Sequence, residues 1–386
     1  MLDIAEELHR WCERGLPFAV ATVVAVAGSA PRQPGAALAV DGEGTAVGSV
    51  SGGCVEGAVY ELCREALSGD GPATVRARFG YSEEDAFAVG LTCGGVIDLL
   101  VQRVDPAARP ELVHALAAAS GGGTAAVARI AEGPEELLGR AVLVGPDGRH
   151  EGSLGDAERD RTAAGEALAM LAAGRTGTVE IGADGSRCGV PLTLLVESSV
   201  PPPRLLVFGA IDFAAALVRA GKFLGYRVTV CDARPVFATG RRFPDADEVV
   251  VDWPHRYLEA ETRAGRIDGR TAVCVLTHDA KFDIPLLERA LRLPVAYVGA
   301  MGSRRTHLQR LDRLRESGLK DLDLARLHSP IGLDLGARTP EETALSIAAE
   351  IVAHRHGGTG APLTGAHTPI HPAPPATARR IGTPAA

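Results

Sequence analysis

The chain has 386 residues, which at roughly 150 residues per domain allows two or three domains and excludes a small disulfide-stapled scaffold. Apolar residues make up 46% and charged residues 23%, and no run of about 18 apolar residues offers a membrane span, so the composition is that of a soluble globular protein. Lys and Arg number 40 against 48 Asp and Glu, a net charge of -8, which is the wrong sign for gripping nucleic acid through a bulk field and leaves only local basic sites.

The opening residues Met1 to Glu7 carry neither a basic nor an apolar leader region, so no secretion signal is expected and the cytoplasm is the expected compartment. The first half is read as a mixed α+β domain over 1–197. Phe18 to Ala27 reads as a strand, 28–35 as a turn-rich loop, Ala36 to Val40 as a second strand and 41–44 as a tight turn. A helix is expected from Gly53 to Leu67, strands at 73–79, 96–104, 124–130, 141–144 and 190–196, and helices at 109–119 and 156–173. The run Ser198 to Pro203 ends in three prolines that supply no amide donors, and 198–203 is read as a linker.

From Arg204 the pattern changes to short apolar runs alternating with amphipathic stretches, the pattern of strand–helix units. Five strands are expected at 205–208, 227–231, 248–251, 272–276 and 295–298, with helices at 213–224, 255–264, 284–291 and 304–314. The fold class is therefore α/β: a C-terminal Rossmann-like, doubly wound parallel sheet over 204–356 behind the α+β domain. Residues 357–386 hold few large apolar groups and are read as a disordered tail.

Open parallel sheets bind ligands outside the carboxyl ends of their strands, and all five runs are followed by polar or Gly-rich segments. Gly209-Ala210 follows the first and Asp232-Ala233-Arg234 the second. Asp232, about 23 residues past Gly209, stands where a carboxylate can accept from a ribose diol. Ile211 occupies the second glycine of a G-x-G-x-x-G, where a branched side chain obstructs a pyrophosphate, so NAD(P) binding is doubtful and Gly209 reads equally well as a tight turn. His278-Asp279 follows the fourth run as an acid–base or ligand pair, although Asp279 also suits a helix cap. After the fifth, Gly299, Gly302, Ser303, Arg304 and Arg305 read as an anion site: bare backbone, a capping serine and two cations in the first helical turn. Such cations oppose the helix dipole unless an anion lies between. The alternative is that the two arginines point into water or pair with nearby acids.

Seven cysteines, an odd number with no C-x-x-C, argue against a disulfide framework and a zinc ribbon. Gly52, Gly53 and Cys54 are expected to open a helix whose unsatisfied amides favour a thiolate, making Cys54 a soft metal ligand, and Cys93 is likewise flanked by glycines. Cys12, Cys63, Cys188, Cys231 and Cys274 read as small buried hydrophobes. His354, His356, His367 and His371 lack acids at metal spacing and read as solvated.

Seven segments together resemble the XdhC/CoxI family: Ser51 to Glu56, Cys93 to Gly95, Val207 to Ala210, Cys231 to Arg234, Leu276 to Asp279, Gly299 to Ser303 and Ser329 to Ala337. The resemblance spans roughly residues 1–360 and thins between about 104 and 190. It implies a molybdenum cofactor-binding chaperone that assists sulfuration and insertion of molybdopterin, or its dinucleotide form, into a xanthine dehydrogenase-type hydroxylase. The chain then reads as a maturation factor rather than an enzyme. Cys54, and with it Cys93, becomes a contact for the metal centre or its sulfur, and the second-domain crevice holds the pterin and its phosphate. The expected partners are an apo molybdenum hydroxylase, a cysteine desulfurase and, on base rates, a second copy of the chain as a homodimer. The sequence departs from the family at Ile211-Asp212, where many relatives show Gly-His. The rival reading is an NAD(P)-dependent oxidoreductase using His278.

Overall fold

The structure is a computed structural model that describes residues 1–28, 32–69, 71–80, 95–186 and 191–365. It divides into unit 1 (Met1–Pro201) and unit 2 (Pro202–Thr364).

Unit 1 is built twice over. Its first half runs α1 (Ala5–Glu13), β1 (Phe18–Ala27), β2 (Ala37–Asp41), β3 (Ala46–Gly48), α2 (Glu56–Ser68), β4 (Thr74–Phe79) and β5 (Val96–Val104). Its second half repeats that order as α3 (Pro110–Ser120), β6 (Ala125–Glu132), β7 (Ala141–Val144), β8 (His150–Gly152), α4 (Ala157–Ala172), β9 (Gly177–Gly182) and β10 (Pro191–Ser199). The strand orders β3-β2-β1-β5-β4 and β8-β7-β6-β10-β9 correspond strand for strand, and every pairing is antiparallel.

The near-continuous apolar run of β1 follows from burial on both faces. Ala19, Ala21 and Val23 point into a cluster with Val59 and Cys63 of α2, while Phe18 and Val20 pack with Leu8 of α1 and Leu112 of α3. Val24 and Leu100 of one sheet meet Ala131 and Leu195 of the other. Beside them Arg129, wholly buried, donates to Glu197 at 2.6 Å and Thr22 at 2.9 Å, and Glu197 also takes the Met1 ammonium at 2.5 Å. Burial would raise the Glu197 carboxyl, but the two cations outweigh it and hold it at about 2.

The expected linker starts too early. Ser198 and Ser199 still pair with Ala126 and Ala125, so β10 continues until the prolines remove its donors.

Unit 2 runs β11 (Arg204–Phe208), α5 (Asp212–Phe223), β12 (Arg227–Asp232), β13 (Glu248–Val251), α6 (Pro254–Arg263), β14 (Ala272–Val275), α7 (Ala280–Ala290), β15 (Tyr297–Ala300), α8 (Arg304–Glu316), α9 (Asp321–Leu324), β16 (Leu327–His328) and α10 (Pro340–His356). Its sheet, β13-β12-β11-β14-β15-β16, is parallel throughout, and its strand order reverses between β11 and β14. Leu205 and Val207 face a core shared with α5 and α10, whereas Leu206 and Phe208 face α6, α7 and α8. The sheet has a sixth strand beyond the five expected, and the fifth starts two residues later than expected. Helix α10 closes on a left-handed Gly357, and most of the expected disordered tail, 366–386, lies outside the described residues. No helix among the described residues is long and apolar enough to cross a membrane.

Candidate functional site

In unit 2 the expected residues converge where the strand order reverses. Gly209, at φ +113°, ends β11 so close to the loop after β14 that a Cβ there would lie 2.9 Å from Thr277 Cγ2. Asp232 ends β12 and reaches across to the Ala210 amide at 2.8 Å. It also accepts from the Arg234 amide at 2.9 Å and from that guanidinium at 2.9 and 2.8 Å. Burial raises its carboxyl, yet these donors bring it below the ordinary value. The acceptor foreseen for a ribose is thus already engaged. Ile211 packs against the α5-side core. Asp279 caps α7 through the Lys281 amide at 3.1 Å, as the cap alternative has it, and His278 is exposed beside it.

The next strand end carries the anion segment. Gly299 lies buried inside β15, where a Cβ would come within 2.5 Å of Ile331 Cδ1, so its bareness serves packing and not a phosphate loop. Gly302, at φ +151°, makes the turn, and Ser303 caps α8 by accepting from the Thr306 amide at 3.1 Å. Arg304 and Arg305 stand exposed in the first turn of α8 with no ion-pair partner among the described residues.

A buried ion pair unforeseen from the sequence ties these segments together. Arg310 of α8 donates to Asp283 of α7 at 2.9 Å, to the Met301 carbonyl at 3.0 Å and to Ser329 at 3.0 Å. Asp283 in turn accepts from Thr277. Burial pushes the Asp283 carboxyl up despite those donors. The available signal was a charge on the apolar stripe of each helix, beside Phe282 and Leu286 and four residues before Leu314.

In unit 1, Cys54 is half-buried against the α2-side core. Helix α2 begins at Glu56, two residues after Cys54 and three after the expected start. The neighbouring amides are engaged: Ser51 and Gly53 donate to Glu56 at 2.9 and 2.8 Å, and Val55 donates to Ser51 Oγ at 3.0 Å. The premise of unsatisfied helix amides beside the thiol is therefore corrected. Glu56 also accepts from the hydroxyls of Ser49 and Ser51. Burial raises its carboxyl, but these bonds outweigh it and hold it at about 2.

The second repeat supplies a comparison within the same chain. Ser153 and Leu154 donate to Asp160 at 2.8 and 2.6 Å, and Ser153 stands seven residues before that acid as Ser49 does before Glu56. There α4 begins at Ala157, capped by Asp156, so the stretch matching Gly52 to Val55 enters the helix. In the first repeat that turn is unwound, with Gly52 and Gly53 at φ +75° and +121° and nothing within 4 Å of a Cβ on Gly53.

Among the described residues no group of three or more His, Cys, Asp or Glu could hold a metal ion. Cys12 and Cys63 are buried and pushed up by desolvation to about 11 and about 12, and Cys231 and Cys274 go higher still. Cys93 and Cys188 lie outside the described residues. His354 is exposed, and its ring lies edge-on to that of His328 at 4.8 Å.

Residues 205–351 match the family described as the XdhC Rossmann domain, and residues 11–79 match the XdhC and CoxI family. The chain belongs to the XdhC and CoxI family. It is 26% identical over 345 residues to a probable xanthine dehydrogenase subunit of Bacillus subtilis, covering 87% of this chain and 92% of that protein. It is 28% identical over 275 residues to the molybdenum cofactor insertion chaperone PaoD of Escherichia coli, covering 63% and 86%. A solved structure described as a xanthine dehydrogenase from Bacillus halodurans superposes with a TM-score of 0.63 at 25% identity, covering 91% of this chain and 95% of that one.

Proposed function

We propose that this chain is a molybdenum cofactor chaperone: it binds the cofactor as cargo, assists its sulfuration and inserts it into a xanthine dehydrogenase-type hydroxylase in the cytoplasm. The observation that carries the reading is the pair Arg304 and Arg305, exposed cations without acid partners among the described residues, in the first turn of a capped helix of a chain similar to a cofactor insertion chaperone. Cations so placed oppose the helix dipole, and a phosphate between them and the amides removes the conflict. The bare turn at Gly302 and the Arg304 and Arg305 guanidinia suit the phosphate end of a pterin cargo.

Unit 1 supplies a different chemistry. The comparison of its repeats supports a separation of roles: the Ser–acid contact recurs and serves the fold, whereas Gly52, Gly53 and Cys54 are what the first repeat adds. A thiol on an unwound turn is a soft donor suited to molybdenum or its sulfur. The sulfur source is a cysteine desulfurase, and the chain works as a homodimer. The rival dinucleotide oxidoreductase has less support, because the donors on Asp232 leave it little capacity for a ribose.

The test is retention of pterin. Wild-type protein purified from a cofactor-producing host and then oxidised is expected to release a fluorescent pterin. The Arg304→Ala/Arg305→Ala variant loses it, and a loop swap of Gly52→Asp, Gly53→Ala and Cys54→Glu, copying the second repeat, folds but fails to mature the target hydroxylase. Wild-type protein that neither carries pterin nor binds added cofactor overturns the reading.

A further inference from the structure

The chain has two tryptophans with opposite surroundings: Trp11 is 2% exposed in the unit 1 core, whereas Trp253 is 39% exposed at the carboxyl edge of the unit 2 sheet. A large ring left open at the edge where parallel sheets bind ligands calls for a use. Trp253 is also held in place. Its amide donates to Asp252 at 2.7 Å, Pro254 follows it as the first residue of α6, and its ring lies 5.2 Å from that of Phe282 and 6.0 Å from that of His255. Phe282 is 8% exposed and sits in the first turn of α7, three residues after Asp279. The brace therefore grows from the same strand end that delivers His278 and Asp279. Cations lie beside both rings: the Arg256 guanidinium 6.0 Å from Trp253, and the Lys281 ammonium, itself paired with Asp279 at 2.9 Å, 4.7 Å from Phe282. A third ring, Phe237, follows β12, is 40% exposed and carries the Arg234 guanidinium at 4.7 Å.

We infer that Trp253, braced by Phe282, is a stacking platform for the flat, nitrogen-rich heterocycle of a phosphate-bearing ligand, with the Arg256 guanidinium beside the ring. The inference deepens the cargo reading and rests on it: the ring is the pterin of the cofactor or the base of its dinucleotide form. Stacking suits this edge because an indole offers area at small entropic cost, and a pre-positioned indole costs less still to order.

Calorimetric titration of the full-length chain tests it with neopterin monophosphate, GMP, CMP and ribose 5-phosphate, the last carrying the phosphate without a flat ring. Ring-bearing probes are expected to bind more tightly than ribose 5-phosphate. Trp253→Ala should remove that advantage, a loss of about 5- to 150-fold, as expected for stacking one base on an aromatic side chain. Trp253→Phe should keep most of it, and an intact unit 2 unfolding transition in calorimetry reports that both variants fold. Tighter binding of the pterin phosphate assigns the platform to the pterin, and tighter binding of a nucleotide assigns it to the base. Equal binding of all four probes, absence of binding by every ring-bearing probe, or unchanged affinities in Trp253→Ala overturn the platform. Those results leave the chaperone reading standing if the wild-type protein still carries a fluorescent pterin, and that reading falls separately if it does not.

Discussion

Replacing Glu56 by Gln tests whether one carboxylate organises the Cys54 loop. Its two oxygens take four donors, the hydroxyls of Ser49 and Ser51 and the amides of Ser51 and Gly53. A carboxamide keeps one oxygen, so a backbone amide must face an NH2 group. A carboxyl held at about 2 against an ordinary 4.5 contributes at most about 3 kcal/mol at neutral pH, and solvent access to the half-buried loop reduces that to roughly 1–2 kcal/mol. For a unit of this size the unfolding midpoint should fall by roughly 2–8 °C at pH 7, read by calorimetry as the transition of unit 1. Because the folded pKa lies below the unfolded one, the contribution is present above pH 4.5 and is lost as pH falls toward 2. The gap between wild type and variant must therefore narrow steadily as pH falls from about 5 toward 2. A gap below about 1 °C at pH 7, or one that persists unchanged to about pH 3, refutes the argument.

Three further outcomes follow from unit 2. Gly209→Ala combines a left-handed φ with a Cβ 2.9 Å from Thr277, so it should cost about 1–3 kcal/mol in the unit 2 transition and leave that of unit 1 in place. Arg310→Met strands Asp283 in the interior and should cost about 3–5 kcal/mol, whereas the double variant with Asp283→Leu should recover much of that loss; equal losses in both would refute a charge-pairing role. Arg304→Ala/Arg305→Ala touches no packed group, so stability should stay within about 0.5 kcal/mol of wild type while inorganic phosphate binding weakens and loses salt dependence.

Much of the architecture was legible because burial writes itself into pattern. The runs at 205–208 and 272–276 lie on a sheet covered on both faces, and each became a strand within a residue of its expected bounds. The strand at 295–298 slipped because Val295 and Ala296 carry the apolar signal while pairing with β14 starts at Tyr297. Two-residue β16 has too few side chains to show any period. Helix α10 went unforeseen although Ala344, Ile347, Ala348 and Ile351 mark its buried stripe, because small alanines weaken the contrast between its faces.

The site was legible to the extent that chemistry follows strand ends, and illegible where it depends on which group answers which. Asp232 was placed correctly at the end of β12, but no spacing announces that Arg234, two residues on, folds back to occupy it. Gly299 looked like loop glycine until Ile331, thirty-two residues later, explained it. The repeat in unit 1 is the strongest case. Its halves share strand order and a Ser-to-acid spacing of seven residues but little composition, so the duplication is invisible along the chain. Once seen, it changes how Cys54 is weighed. Alone, a half-buried thiol before a helix is ordinary. Set beside a repeat where the same stretch winds into helix, it marks the place where stability is given up to open a turn, and such departures from a fold's own rule are where function is to be sought.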